Sequence, residues 1–263
     1  MNTAFVVKKE LQRCFSSPWG WLLTSIFWLV TGFYVAEILL GTQGVIAQLE
    51  ASEQAGLAIG SLDITELLLN SLFDFLGTLS WWVIALLSLD LDWQGVKYSR
   101  NYSRLQTALN PSLLVWGKLL ARVSYFIFLL VPVVIYEIMI FVATEPKVSP
   151  VVPLLAHGGL IFLVAIIFSW HMAIAACIKQ RFYLFLASCS LFTSFWLLDF
   201  LSDRTGDKTV LLEHFSLFTS YRYLIRGIIP VGNVVMMLSY LLMAIFFTSQ
   251  ISKLAFFSTK NNN

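Results

Sequence analysis

Residues 151–201 read VVPLLAHGGLIFLVAIIFSWHMAIAACIKQRFYLFLASCSLFTSFWLLDFL. This stretch holds two long apolar blocks, near 151–178 and 183–201, which are separated only by the basic segment 178–182 (IKQRF). About 20 helical residues are needed to cross a bilayer core that is about 30 Å thick. Because so short a connection joins neighbouring antiparallel helices, the stretch predicts two consecutive membrane-spanning helices.

The rest of the chain repeats this pattern. Of its 263 residues, 58% are hydrophobic and only 12% are charged, with a mean hydropathy of +0.79. Soluble domains carry about 25% charged residues, so the composition predicts an all-α integral membrane protein, a single transmembrane domain over residues 1–263. Pro132 lies within the third apolar block and predicts a kink there. The six predicted spans lie near 19–40, 67–91, 113–142, 151–178, 183–201 and 228–251.

The distribution of basic residues predicts the orientation of the spans. Cytoplasmic segments of membrane proteins are enriched in Lys and Arg. If both termini are cytoplasmic, twelve basic residues lie in inner segments and span ends, and five lie in outer ones. We therefore expect an N-in, C-in topology. The twelve are Lys8, Lys9, Arg13, Lys97, Arg100, Arg104, Lys118, Arg122, Lys179, Arg181, Lys253 and Lys260; the five are Lys147, Arg204, Lys208, Arg222 and Arg226.

The segment before the first span predicts an amphipathic helix over residues 4–17. One face would be apolar and the other basic, which is typical of a helix lying in the membrane interface with its apolar face toward lipid. Pro18 would end it before the first span. The predicted apolar face comprises Val7, Leu11, Cys14 and Phe15, and the polar face comprises Lys8, Lys9, Gln12 and Arg13, of which the three basic residues are the candidate interface contacts.

The longest cytoplasmic segment, residues 92–112, carries a short repeat. Tyr98-Ser99-Arg100 recurs four residues later as Tyr102-Ser103-Arg104. On a helix this spacing aligns the two tyrosines on one stripe and the two arginines on another. The pattern predicts a helical docking element, and a basic linker near anionic lipid is the alternative. The candidate coupling residues are Lys97, Tyr98, Arg100, Tyr102 and Arg104.

The predicted outer segment 202–227 is too apolar for a freely solvated loop. We expect half-inserted or re-entrant helices packed against the spans, because non-helical backbone at membrane depth is tolerated only where protein or water covers it. The apolar residues that motivate this prediction are Leu211, Leu212, Phe215, Phe218 and Leu224.

Acidic residues gather toward the outer ends of the predicted spans. Glu37, Asp74, Glu137 and Asp199 each lie within one or two turns of such an end. Interfacial carboxylates that reach water would explain this placement, because the cost of a carboxylate falls steeply near the interface. The functional alternative is an acidic mouth of a pathway between helices, for which Glu137, Asp74 and Glu37 are the candidates.

The sequence lacks the motifs of common enzymes. It contains no GxxxxGK[ST], HExxH or GxSxG. Its histidines, His157, His171 and His214, are too scattered to predict a metal site. The three cysteines are widely spaced and predict no disulfide framework. We therefore expect no catalytic, cofactor-binding or metal-binding residues in this chain and no nucleic-acid partner.

Several segments, taken in order, resemble the permease subunit of bacterial ABC-2 type transporters, especially the gliding-motility and nitrous-oxide-reductase-maturation branch. Lys8-Lys9-Glu10-Leu11 with Phe15-Ser16-Ser17-Pro18 is similar to the family's "KKEL…FFSSP" interface helix. Asn110-Pro111 before Gly117-Lys118-Leu119-Leu120-Ala121 is similar to its "P…GKxLA" motif. The approach to the sixth span resembles "HF…F…RGxI…LS", through His214-Phe215, Phe218, Arg226-Gly227-Ile228-Ile229 and Leu238-Ser239.

The resemblance implies a membrane-embedded exporter subunit of the bacterial inner membrane that does no covalent chemistry. Two cytoplasmic ATPase subunits would bind ATP and move two permease halves through the 4–17 and 92–112 elements, in a homodimer or heterodimer. The chain departs from the family after the second span. Where the family carries "EERxxGT", this sequence reads Asp92-Trp93-Gln94-Gly95-Val96-Lys97.

Two other functions are alternatives to the permease. The departure at 92–97 is typical of a non-transporting scaffold or assembly factor derived from such a permease. An intramembrane enzyme is the second alternative, with His171 as its candidate. It would need polar groups converging at one depth, whereas His171 is predicted toward the inner side and Glu137 and Asp199 toward the outer.

Overall fold

The computed structural model describes residues 3–42, 44–54, 64–87, 111–143, 150–178, 180–204 and 215–260. All regular secondary structure in these residues is helical. The helices are α1 (Thr3–Ser16), α2 (Pro18–Leu40), α3 (Val45–Gln54), α4 (Ile64–Leu87), α5 (Pro111–Leu129), α6 (Val131–Ala143), α7 (Val151–Cys177), α8 (Arg181–Arg204), α9 (Leu217–Ile225) and α10 (Val231–Lys260).

Among the described residues, six helical stretches are long and apolar enough to cross a membrane. This confirms the predicted all-helical fold and its count of six candidate spans, and it makes the chain a multi-pass membrane protein. The stretches are Pro18–Gln48, Leu69–Leu87, Ser112–Met139, Val151–Cys177, Arg181–Leu201 and Val231–Lys253.

Helix α7 lies at the centre of the bundle and packs against α4, α5, α8, α9 and α10. Its sequence is apolar on every side, as expected of a helix that other helices surround. Leu160, Leu163 and Ile166 are completely buried. Ala156 and Gly159 are small enough for neighbouring backbones to approach closely. The order of the other helices around α7 determines which polar side chains meet.

The third span is divided close to Pro132. Helix α5 ends at Leu129, Leu130 forms a turn, and α6 then carries the chain onward. Proline has no N–H to donate to the preceding turn, and its ring crowds that turn. The indole N–H of Trp28 in α2 donates to the Leu129 carbonyl at 3.1 Å. A neighbouring span therefore stabilises the backbone at the break.

Helix α1 packs across α5 and against the start of α2. Val6 and Cys14, two turns apart, are its buried residues. The hydroxyl of Tyr125 in α5 donates to the Gly20 carbonyl of α2 at 2.8 Å, which joins the two helices beside α1. We call this end of the bundle the α1 end, and the opposite end, which carries α9, the α9 end.

The short helix α9 is inserted among the spans at the α9 end. Of the apolar residues that predicted burial, Phe218 and Leu224 are buried, whereas Phe215 is exposed and Leu211 and Leu212 lie outside the described residues. Gly227 ends the helix in a left-handed conformation with φ 75°. The Gly227 and Ile228 N–H groups donate back to the Leu224 and Tyr223 carbonyls, which is the usual role of glycine after a helix.

We expect Gly159→Ala to destabilise the bundle by about 1–3 kcal/mol, the usual cost of overpacking. A Cβ at Gly159 would lie 2.9 Å from the Leu224 Cβ, so α9 would have to shift. Gly158 is the matched control, because a Cβ there meets nothing within 4 Å. The difference in denaturation midpoint between the two variants in detergent micelles measures the cost. Equal midpoints would contradict the close packing of α9 on α7.

Candidate functional site

Among the described residues, three groups of charged and histidine side chains meet within this apolar bundle, some buried and some partly exposed. Such groups are costly within a membrane and are retained for a structural or functional reason. We call Glu10, Lys118, Arg122 and His171 the basic cluster, and Asp74, Asp199 and Arg222 the Arg222 clamp. The third group is the Glu137–His157 pair. The basic cluster lies at the α1 end, and the other two groups lie at the α9 end.

The basic cluster places two cations of α5 inside the protein. Lys118 and Arg122 are one turn apart, so they project from the same side of α5, and their residues are only 2% and 8% exposed. The Lys118 Nζ lies 4.0 Å from the Glu10 Oε1 of α1. Glu10 lies between Val6 and Cys14 on the buried stripe of α1, which directs its carboxylate toward α5.

Arg122 continues the cluster from α1 to α7. Its guanidinium carbon lies 5.9 Å from the centre of the Phe168 ring, within the range of a cation–π interaction. Its Nη1 has no hydrogen-bond partner among the described residues. Glu10, Lys118 and Arg122 therefore form a continuous charged contact between α1, the third span and the central helix.

His171 forms a buried contact with a serine. Its Nδ1 lies 2.9 Å from the Ser188 Oγ of α8, and both side chains are buried. A catalytic Ser–His pair also needs an acidic group that orients the histidine. The charged neighbour in the described residues is Arg122, a cation. The contact is better explained as a polar link between α7 and α8.

The Arg222 clamp holds α9 against two spans. The Arg222 Nη2 lies 3.2 Å from the Asp199 Oδ2 of α8, and its Nε lies 3.4 Å from the Asp74 Oδ1 of α4. The Asp199 side chain is 3% exposed, whereas that of Asp74 is half exposed. One guanidinium thus links α9 to both α4 and α8.

Hydroxyl groups complete the coordination of Asp199. Ser216 and Thr219 donate to its Oδ1 at 2.6 and 2.7 Å. Ser216 also caps α9 by accepting the Thr219 N–H at 3.1 Å. Burial raises the pKa of the Tyr221 phenol, which remains protonated and donates to the Phe73 carbonyl at 2.7 Å. Residues 216–222 therefore both cap helix α9 and attach it to α4 and α8.

The Glu137–His157 pair lies between α6 and α7. The Glu137 Oε2 is 3.6 Å from the His157 Nε2. The Phe73 ring packs edge-on against the imidazole, with ring centres 5.0 Å apart. His157 and His171 are fourteen residues apart on α7, or about 21 Å along a helix that rises about 1.5 Å per residue. Glu137 therefore cannot act together with His171.

The predicted residues fall into three sets, the coupling residues, the interface-helix residues and the mouth residues, and the outcome differs between them. The coupling residues Lys97, Tyr98, Arg100, Tyr102 and Arg104 lie outside the described residues. In the predicted interface helix, Lys8 is exposed and Lys9 and Arg13 are half-buried. The predicted mouth residues have separate surroundings: Glu37 is exposed on α2, Asp74 contacts Arg222, and Glu137 contacts His157.

No group of three or more His, Cys, Asp or Glu side chains suited to a metal ion occurs in the part of the chain that the structure describes. In comparisons with known proteins, no protein-family model and no curated protein sequence matches this chain. The proposals below therefore depend on the residues themselves.

Proposed function

We propose that this chain is the membrane-spanning permease subunit of an ABC-2 type exporter. It would couple ATP hydrolysis on a separate cytoplasmic subunit to movement of a substrate across the bacterial inner membrane. Both termini would be cytoplasmic, so the α1 end would face the cytoplasm and the α9 end the outside. The six candidate spans and the ordered sequence motifs support this proposal.

The attachment of α1 to the third span is the observation that carries the proposal. A permease must transmit movement from a cytoplasmic ATPase to its spans. Val6 lies so close to α5 that a Cβ at Gly117 would be 2.8 Å from its Cγ1. Glu10 adds the charged contact with Lys118. A helix at the membrane surface would thus move together with α5 and, through Arg122, with α7, as rigid-body coupling requires.

The dense interior of one chain favours a pathway between two copies. Trp81, Phe192 and Phe218 pack ring to ring between α4, α8 and α9. Close-packed aromatic side chains leave little space for a substrate within the bundle. In the proposed homodimer or heterodimer, the substrate would pass between the two permease halves, and α9 would line or cover the outer part of that passage as a re-entrant element.

The second candidate function is a scaffold or assembly factor derived from such a permease. The sequence at 92–97, which lacks the family's "EERxxGT", is the observation that favours it. Such a protein would keep the six-span fold without responding to ATP. The two functions differ in whether an ATPase subunit associates with the chain and is regulated by it.

Charge reversal at Arg100 and Arg104 separates the two functions. We expect the tagged full-length chain to co-purify with a stoichiometric ATPase subunit, and Arg100→Glu with Arg104→Glu to abolish that association. Arg226→Glu is the matched control, because Arg226 is exposed at the α9 end. Unchanged association and ATPase activity would support the scaffold, and a chain that purifies as a lone stable monomer would contradict the permease.

A further inference from the structure

Each residue of the Glu137–His157 pair has one buried polar atom without a hydrogen-bond partner among the described residues. Glu137 is buried, and its Oε1 has no hydrogen-bond partner among the described residues. The same holds for the His157 Nε2, although it lies 3.6 Å from the Glu137 Oε2. Buried polar atoms in proteins are almost always hydrogen-bonded. These two buried atoms, the Glu137 Oε1 and the His157 Nε2, are therefore exceptions that need an explanation.

The other ring nitrogen of His157 shows which of the two nitrogens carries a hydrogen. Its Nδ1 lies 2.9 Å from the Pro153 carbonyl oxygen. A carbonyl oxygen can only accept a hydrogen bond, so Nδ1 must carry a hydrogen. In a neutral imidazole with hydrogen on Nδ1, Nε2 bears a lone pair and is an acceptor. The nitrogen that faces Glu137 therefore cannot donate to the carboxylate unless the ring gains a second proton.

We propose that Glu137 and His157 form a binding site for one proton, which is carried either by the Glu137 carboxyl group or by the His157 Nε2. Without it, two acceptors face each other inside an apolar bundle, which is unfavourable. With it, the pair is either a carboxylic acid beside a neutral imidazole or a carboxylate beside an imidazolium. Both forms have zero net charge. Loss of the proton leaves one uncompensated negative charge between α6 and α7.

The imidazole is the more exposed member of the pair. The His157 side chain is 18% exposed and the Glu137 side chain only 7%. His157 lies in the second turn of α7, at the α9 end, and Phe73 covers one side of its ring. The imidazole therefore lies nearer the surface of the protein than the carboxylate does.

The other described charged groups at this end either contact one another or are exposed. Asp74 and Asp199 contact Arg222, and the hydroxyls of Tyr34, Tyr221 and Tyr240 donate to the backbone carbonyls of Ser71, Phe73 and Phe215. Glu37 and Arg226 are exposed. The titratable and charged side chains at the α9 end on the described elements around the pair are Tyr34 and Glu37 on α2, Asp74 on α4, Tyr136 on α6, Asp199 on α8, Tyr221, Arg222, Tyr223 and Arg226 at α9, and Tyr240 on α10.

Proton counting tests the site directly. The purified full-length chain in lipid nanodiscs is titrated with acid and base while bound protons are counted. We expect wild type to bind about one proton per chain more than Glu137→Gln in the range where the pair titrates. Gln has the shape of Glu, and its amide can donate to Nε2 in place of the proton. Glu37→Gln, which alters an exposed carboxylate at the same end, is the matched control variant.

Histidine NMR of the wild-type chain gives a second test that needs no stable variant. The chain has three histidines, so ¹⁵N labelling gives a small set of imidazole signals. We expect the His157 Nδ1 to stay protonated throughout the pH titration. The Nε2 signal should change in the same titration step as the Glu137 carboxyl. A deprotonated Nδ1, or a His157 that titrates independently of Glu137, would overturn the proposal. So would equal proton counts for wild type and Glu137→Gln.

Discussion

Replacing Glu10 with alanine is expected to lower the free energy of unfolding by about 3 kcal/mol, since removing one partner of a buried ion pair leaves the other charge uncompensated. The charge that loses this carboxylate is Lys118, whose side chain is only 3% exposed. Arg122, one turn along α5, adds a second positive charge beside it. Helix α1 should consequently detach from α5. Denaturant titration in mixed micelles measures the loss, and hydrogen exchange of residues 3–16 reports the detachment.

Two further variants distinguish electrostatics from lost packing. Lys118→Met in the Glu10→Ala background removes the buried ammonium while keeping an apolar side chain of similar length, and it should recover a substantial part of the lost stability. Lys8→Ala is the matched control on α1, because Lys8 is exposed, and it should change the stability by less than about 0.5 kcal/mol. A double variant no more stable than Glu10→Ala would show that the ion pair is unimportant.

The same variants connect stability to the proposed function. If α1 transmits movement from an ATPase to the third span, Glu10→Ala should uncouple ATP hydrolysis from transport even at temperatures where the protein stays folded. The double variant should restore folding more completely than coupling, because it restores packing but not the charged contact between α1 and α5.

The spans could be predicted from sequence because their signal is local. A run of about 20 apolar residues is sufficient to predict a membrane-spanning helix. The spacing of apolar and basic residues also predicted a helix over 4–17, where the structure has α1, and its place in the membrane interface stays a prediction. Burial of Phe218 and Leu224 followed from the cost of exposing large apolar side chains in a loop.

The polar contacts between helices could not be predicted in this way. Glu137 and His157 are twenty residues apart on different helices, and their contact depends on how α6 and α7 pack. The sequence interpretation used Arg122 and Arg222 only as charges that indicate orientation, and Lys118 only for orientation and as part of a family motif. Lys118 and Arg222 each reach an acidic side chain on another helix, and Arg122 lies over the Phe168 ring of α7.

One local signal of the basic cluster was present in the sequence. Lys118 and Arg122 are spaced to project from one side of an otherwise apolar helix. Two cations on one side of a span predict a carboxylate partner, because buried charges are paired. Glu10, between the inward-facing Val6 and Cys14, was an available partner, but choosing it required knowing that α1 crosses α5.

Replacing Arg222 with methionine is the second change with a large expected effect, a loss of about 2–4 kcal/mol of stability. The carboxylate of Asp199 would keep its two hydroxyl donors but lose its positive partner inside the protein. Exposure of Asp74 and of part of Arg222 keeps the loss below that of a fully buried pair, because solvent screens that side of the clamp. Amide hydrogen exchange over residues 217–225 should become faster as α9 loosens.

Arg226→Met is the matched control for this change. It removes the same charge one turn further along from an exposed position, so it should alter stability and exchange in 217–225 only slightly. If it loosens α9 as much as Arg222→Met does, total charge rather than the clamp holds the helix.

Asp199→Asn in the Arg222→Met background completes the thermodynamic cycle. The Asn Oδ1 can still accept from Ser216 and Thr219, while the buried negative charge is gone. We therefore expect the double variant to be more stable than Arg222→Met alone, because the cost of the single change arises from an unpaired carboxylate. If the losses of stability in Arg222→Met alone and Asp199→Asn alone add up to the loss in the double variant, Asp199 and Arg222 act independently. In that case α9 is held by its apolar packing on α7.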